Sequence, residues 1–267
     1  MSTISFTAGQ YSGTNNGLSL YAVWVPSAGT IQNWNGCSTM TTGQVTALTD
    51  SRDNNTYAVA KLKDGKCWMI ENMRLGGSSP TTLTPADSIV ATNTTLPATT
   101  STWGTTSSDY TRMQLNADNT ISPVTNMTTP TNANVYSYGN YYSWAAAIAS
   151  TTAVNSGNAS TNICPTGWRL PTAYTSTSDF NTLNTAVNSG STRTSAGLRA
   201  YPANLLYSGY YYGSSANYKG SYGRHWSSTS FSSNLTHHLG FENSNVSPGG
   251  GATSKNNGYS VRCLVGS

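Results

Sequence analysis

Four cysteines, Cys37, Cys67, Cys164 and Cys263, constrain this chain more than any other feature. None sits in a Cys-x-x-Cys pair, so zinc-ribbon and thioredoxin-type readings fail. An even number at wide spacing predicts two disulfides, and three pairings satisfy that count. The competing reading is four buried free thiols in a reducing compartment, since free Cys is often buried. Composition favours disulfides. Only 8% of residues are charged, against roughly 25% in an average soluble domain. Ser, Thr, Asn, Gly and Tyr take their place, as in secreted and cell-surface proteins. Seven Trp, 17 Tyr and 36% hydrophobic residues suffice for a core, which excludes disorder over most of the length.

Several partner classes drop out. The net charge of +4 comes from few charges and no Lys/Arg run, so nucleic acid would find no electrostatic footprint. No apolar segment approaches the roughly 20 residues of a membrane span, so no membrane insertion is expected. Met1-Ser2 runs straight into strand-like sequence without a signal peptide. An exported protein with this sequence would therefore be a fragment, its signal and anchor lying elsewhere in a longer parent.

The 267 residues could hold one large domain or two small ones. Residues 17–25, Gly-Leu-Ser-Leu-Tyr-Ala-Val-Trp-Val, alternate and read as a strand ended by Pro26 and Gly29. This ending resembles the last strand of the small β-repeats of bacterial surface proteins of the internalin B-repeat kind. It implies a boundary, with 1–28 as a preceding repeat or extension and 29–267 as the main domain. Otherwise the strand belongs to the main domain. Thr56–Leu62 and Lys66–Leu75 flank Asp64-Gly65 and predict a hairpin. Residues 76–133 form a long Ser/Thr/Pro/Asn insertion with Trp103 and Tyr110 as isolated anchors. Helices are predicted at 141–149, rich in Ala, and at 179–187, where Phe180, Leu183 and Val187 recur at helical spacing. From Gly190 onward short aromatic strands alternate with Gly/Ser/Asn turns, the last over 258–265. The class is α+β, with short antiparallel strands, two helices and long ordered loops.

Six local sequences then fall in one order: Asp50-Ser-Arg-Asp53, Gly65-Lys-Cys-Trp-Met-Ile-Glu-Asn72, Tyr138-Gly-Asn-Tyr-Tyr-Ser-Trp144, Cys164-Pro-Thr-Gly-Trp-Arg-Leu-Pro-Thr172, Trp226-Ser-Ser-Thr229 and Gly258-Tyr-Ser-Val-Arg-Cys263. Over roughly residues 31–265 the chain resembles the Fibrobacter-type major paralogous domain, a bacterial cell-surface module. The resemblance implies a C-type-lectin-like fold of the formylglycine-generating-enzyme type. In that fold the regions of Cys164 and Cys263 lie together, which implies Cys164–Cys263 and Cys37–Cys67 as the disulfides.

Residues 207–263 resemble something narrower, the variable region of lectin-fold proteins diversified by diversity-generating retroelements. There a reverse transcriptase randomises template adenines, usually in Asn codons. Randomised Asn codons yield Tyr, Ser, Gly, His, Arg, Phe and Leu, but not Lys, Glu, Gln, Met or Trp. The ligand surface implied comprises Tyr210, Tyr212, Tyr218, Tyr222, Arg224, His225, Phe231, Leu235, His237, His238, Gly240 and Ser247. Lys219, Glu242 and Lys255 are unreachable and would be template-fixed. Independently of the resemblance, Tyr, Ser, Gly and Asn are the residues of adaptable paratopes. The bland alternative is strand packing with alternate Tyr rings half-buried. Tyr211 is the expected buried member either way.

Catalytic and metal chemistry find little support. Adjacent His237 and His238 would point to opposite faces of a strand and rarely share an ion. The Glu-Pro-Asn, Gln-Pro-Asp and Trp-Asn-Asp ligand sets of calcium-dependent sugar binding are missing from the sequence. A structural calcium could still be held by Asp and carbonyl oxygens; no other cofactor is expected. Formylglycine-generating relatives use a redox cysteine pair, whereas here each Cys lies in a scaffold-like motif. A glycosidase needs two carboxylates in a cleft, but Asp53, Asp64 and Glu71 read as caps or scaffold bonds, and Arg169 as part of the same polar framework. The expectation is a non-enzymatic extracellular receptor or adhesin, hypervariable at its C-terminal surface, for a protein or glycan on another cell, a phage or a host. The alternatives are an invariant adhesive or structural module of the same fold and, last, a lectin-fold enzyme.

Overall fold

The computed structural model describes residues 27–76, 79–99, 114–116, 138–213, 215–249 and 251–266. The strand expected at 17–25, and Trp103 and Tyr110 of the insertion, lie outside the described residues. In chain order the strands begin with β1 (Ser27–Thr30), β2 (Val45–Thr49), β3 (Thr56–Lys61) and β4 (Cys67–Met69). Short strands follow: β5 (Thr81–Leu83), β6 (Ser88–Ile89), β7 (Thr94–Leu96), β8 (Gln114–Asn116) and β9 (Asn140–Tyr142). Next come helix α1 (Trp144–Ala147), β10 (Gly157–Asn158), β11 (Asn162–Pro165) and β12 (Trp168–Arg169). Helices α2 (Asp179–Asn188) and α3 (Ala196–Arg199) precede β13 (Tyr210–Tyr212) and β14 (Ser215–Asn217). The chain ends through β15 (Gly223–Ser230), β16 (Leu235–Glu242), β17 (Asn245–Ser247), β18 (Thr253–Ser254) and β19 (Leu264–Val265).

Two sheets carry the architecture. The first has the order β1-β2-β3-β4-β19-β12, so the last strand of the chain is inserted between β4 and β12. All its pairings are antiparallel except β1 with β2, which is parallel. The second runs β10-β15-β16-β17, with β18 also on β16. The centre of the first sheet is buried on both faces, and alternation divides its side chains between two cores. Tyr57, Val59, Cys67 and Met69 enter a core with Trp144, Trp168, Trp226 and Tyr259. Ala60, Trp68 and Leu264 enter the other, with Phe180, Leu183, Leu239 and Phe241.

The four motif tryptophans explain why those motifs stand where they do. Each is buried, and each indole N–H, which must be satisfied in a core, finds an acceptor. Trp68 donates to Asp64 Oδ2 at 2.9 Å, Trp144 to the Ser227 carbonyl at 2.8 Å, Trp168 to the Ile31 carbonyl at 2.8 Å and Trp226 to the Tyr142 carbonyl at 2.6 Å. The disulfides join Cys37 to Cys67 and Cys164 to Cys263, the pairing implied by the resemblance. Arg52 is buried against Asp50 at 2.6 Å. Asp53 accepts from the Asn55 and Gly76 amides. Glu71 accepts from the Ala58 amide at 2.6 Å, and Arg169 pairs with Asp179 at the start of α2. The scarce charges are thus framework bonds.

Several expectations are corrected. There are three helices among the described residues, not two, and the first is shorter than 141–149. Asn140, Tyr141 and Tyr142 pair with β8 as a strand, and helix begins only after Ser143, whose hydroxyl accepts the Ala146 amide. Tertiary pairing outweighs the helix propensity of a short Ala run. The strand expected over 66–75 is confined to Cys67–Met69, and that over 258–265 to Leu264–Val265 with single bridges at Gly258, Tyr259 and Ser260. β1 straddles the boundary expected between residues 28 and 29 and bonds into the main sheet.

Candidate ligand-binding surface

The second sheet builds the surface from its β15–β16–β17 end. Cross-strand pairing places Arg224 opposite Gly240, and Gly240 opposite Ser247. Residues paired across antiparallel strands share a face, so these three form one row. Gly240 is needed there: a Cβ at this position would lie 2.1 Å from Arg224 Nη1. Its missing side chain lets the guanidinium lie flat over the strand, where Nη1 donates to His238 Nε2 at 2.9 Å. The Arg224 carbon Cζ lies 5.6 Å from the Tyr210 ring centre and 5.7 Å from that of Tyr222, within the range of cation–π attraction.

Tyrosines continue from there. Tyr210 stacks on Tyr218 at 5.5 Å, and Tyr218 meets Tyr222 at 5.0 Å. Tyr210 rests edge-on against Tyr259, which stacks on the core ring of Trp226 at 4.1 Å. The cluster is therefore anchored in the core at one side while Tyr218 is 56% exposed at the other. Tyr218 holds a left-handed backbone, φ 58°, which costs a non-glycine residue energy and marks sites over-determined by their surroundings. The β13–β14 hairpin supplies Tyr210 and Tyr212 on one face, with Tyr212 63% exposed, and Tyr211 buried on the other. The hairpin reaches this position because Gly209 allows it: a Cβ there would lie 2.3 Å from the Asn217 carbonyl. Beside the Tyr222 hydroxyl, the hydrogen-bonding Glu242 carboxylate pushes the phenol's pKa up.

Not all expected contacts are on this surface. His225, His237, His238 and Gly240 are buried, which corrects their assignment as ligand contacts. β16 is covered on both faces in its middle, so alternation cannot bring either histidine out. His225 stacks on Phe241 at 5.8 Å and bonds Asn72 Oδ1 at 3.1 Å, the oxygen that also accepts from Arg262 Nε at 2.8 Å. Burial, with Arg262 nearby, pushes its pKa well below the ordinary value. Burial and the neighbouring Arg224 push that of His238 down to about 3. Both imidazoles are neutral spacers, and His238 accepts from Arg224 through Nε2.

Phe231 and His237 belong to a second, separate cluster. Adjacent residues of a strand face opposite ways, and His237 contacts a different set from His238. It stacks on Tyr174 at 4.4 Å, meets Phe231 edge-on at 5.5 Å and bonds the Gly249 carbonyl through Nδ1 at 3.0 Å. Tyr174 is 65% exposed, Phe231 53%. Tyr174 lies outside 207–263, and no local pattern announces its left-handed backbone, φ 86°, or its exposure. Tyr259 and Glu242 were likewise missed as parts of the first cluster. Leu235 is half-buried opposite Ser254 and joins neither cluster.

Among the described residues no group of three or more His, Cys, Asp or Glu side chains could hold a metal ion, and no helix is long and apolar enough to cross a membrane. No family model, no curated protein and no solved structure matches the chain.

Proposed function

We propose that this chain is a non-enzymatic extracellular ligand-binding domain of C-type-lectin type, a receptor or adhesin of the cell surface. Its contact surface is the cluster of Tyr210, Tyr212, Tyr218 and Tyr222 around Arg224, bordered by Ser247. One observation carries this reading. Tyr218 is exposed yet packed against the half-buried Tyr210 and Tyr222, with Tyr210 resting on a core-anchored ring, and Tyr212 stands exposed beside them. A surface with no contact role has no need to hold Tyr218 exposed in a left-handed backbone. Tyr presents large rigid area with little rotamer entropy to lose, which is what paratopes use. Two disulfides and a framework of buried ion pairs hold the scaffold independently of these rings. Such a division suits retroelement-driven diversification, which replaces surface side chains without touching the core.

The test is a displayed library with codons 210, 212, 218 and 222 randomised. The expected result is that most variants reach the surface folded, and that selection on unrelated soluble proteins yields binders. Loss of folded display in most variants would show that the rings are core and overturn the proposal.

A further inference from the structure

Among the described buried and half-buried arginines, the partners of the guanidinium groups single out Arg224; Arg193 and Arg199 also lack an ion pair but are exposed. Arg52 pairs with Asp50 at 2.6 Å, Arg169 with Asp179 at 2.5 Å and Arg74 with Glu71 at 3.5 Å. The buried Arg262 donates to Asn72 Oδ1 and to the carbonyls of Ala203 and Asn204. Arg224 is half-buried too, but among the described residues its one hydrogen-bond acceptor is the neutral His238 ring. Glu242, the nearby carboxylate, is engaged by the Tyr222 hydroxyl and forms no ion pair with it. A guanidinium has five N–H donors in a planar fork suited to a carboxylate. Here the fork sits between two aromatic walls, where a lowered local dielectric strengthens attraction to an anion.

We propose that Arg224 is the anion-recognition point of this surface and takes an Asp or Glu side chain from a peptide segment of a protein ligand. This rests on the reading of the tyrosine cluster as the contact surface. Beside Arg224 a peptide fits better than an acidic sugar because the rings there use their faces on one another: Tyr210 and Tyr218 are stacked and Tyr222 tilts onto Tyr218. Sugar rings bind open aromatic faces, whereas peptides use ring edges and hydroxyls. The chain's own charge, +4 with nine acidic residues in all, complements an acidic partner.

The probe is a random dodecapeptide library panned on the intact chain, with a glycan array run in parallel. Selected peptides should be enriched in Asp and Glu and bind less tightly as salt rises. Arg224→Gln should lower their affinity at least tenfold and Arg224→Lys by less, with melting curves of both variants unchanged. Peptides that lack acidic enrichment and bind Arg224→Gln equally, yet are lost in Tyr218→Ala, would overturn the role of Arg224 and leave the contact surface standing. Peptides indifferent to both substitutions, or none selected, would overturn both. Arg224-dependent binding of sialylated or uronate glycans without acidic peptides would overturn the peptide occupant.

Discussion

Lys255 is fully buried, and its ammonium donates to three carbonyls, those of Val154 at 2.7 Å, Ser232 at 2.7 Å and Ser233 at 2.9 Å, 4.4 Å from the Trp144 ring centre. A charge this deep is tolerable only when every proton is satisfied. Removing it leaves carbonyls without a donor, at about 1–3 kcal/mol each. Lys255→Met should therefore cost about 3 kcal/mol or more in urea unfolding, whereas Tyr212→Ser should stay within about 0.5 kcal/mol. Equal effects would contradict the division between scaffold and surface. The histidines give a pH prediction. Folding holds His225 and His238 neutral, while in the unfolded chain each titrates near pH 6.5. Above that pH both states are neutral and stability is flat. Below it the unfolded chain takes up protons that the folded chain refuses, and stability falls by about 1.4 kcal/mol per pH unit for each histidine. For His238 the fall continues to about pH 3. Urea midpoints at pH 8, 7, 6 and 5 should show the break near 6.5. A flat profile down to pH 5 would mean that the rings are not buried as described.

At the scale of elements, β16 sets what the sequence could reveal. The β3–β4 hairpin was legible because Asp64-Gly65 supplies the turn, with Gly65 at φ 80°, and because Cys67-Trp68-Met69 alternates between two cores. α2 was legible because Phe180 and Leu183 face one core over a long enough run to show its period. β16 was not. Its alternation sorts side chains between two covered faces instead of between protein and water, which hides the burial of His237 and His238, and His225 on β15 is covered in the same way. Local sequence places Tyr141 and Tyr142 in a helix because their strand partners, β8 and Tyr259, are distant in sequence. The row Arg224–Gly240–Ser247 carries its own prediction. An added methyl at 240 meets the end of Arg224 and, at 3.2 Å, Nε2 of the buried His238. Gly240→Ala should thus displace the guanidinium, leave His238 Nε2 without its donor at a cost of about 1–3 kcal/mol, and weaken acidic peptides severalfold. A loss well beyond that range would place the conflict in the backbone instead.

For the whole molecule, the chain's end is also its centre. β19 lies between β4 and β12, and the Cys164–Cys263 bond fixes its approach across a sequence separation of 99, against 30 for Cys37–Cys67. Loop-closure entropy assigns about 4.7 kcal/mol to the longer loop and about 3.6 kcal/mol to the shorter. A paired Cys164→Ala/Cys263→Ala variant should therefore lose more stability in urea unfolding than Cys37→Ala/Cys67→Ala. Closing the sheet with the terminal strand leaves the preceding hairpins, β13–β14 and β15–β16, to carry the exposed rings on a fixed base. The central claim is that those rings are exchangeable contacts on an invariant scaffold. Deep sequencing of codons 207–263 within one natural population tests it most directly. Substitutions should concentrate at the exposed or half-buried positions 210, 212, 218, 222 and 231, with Trp226, His225, His238 and Gly240 constant. Invariant tyrosine codons, or variation spread equally over the buried positions, would contradict it.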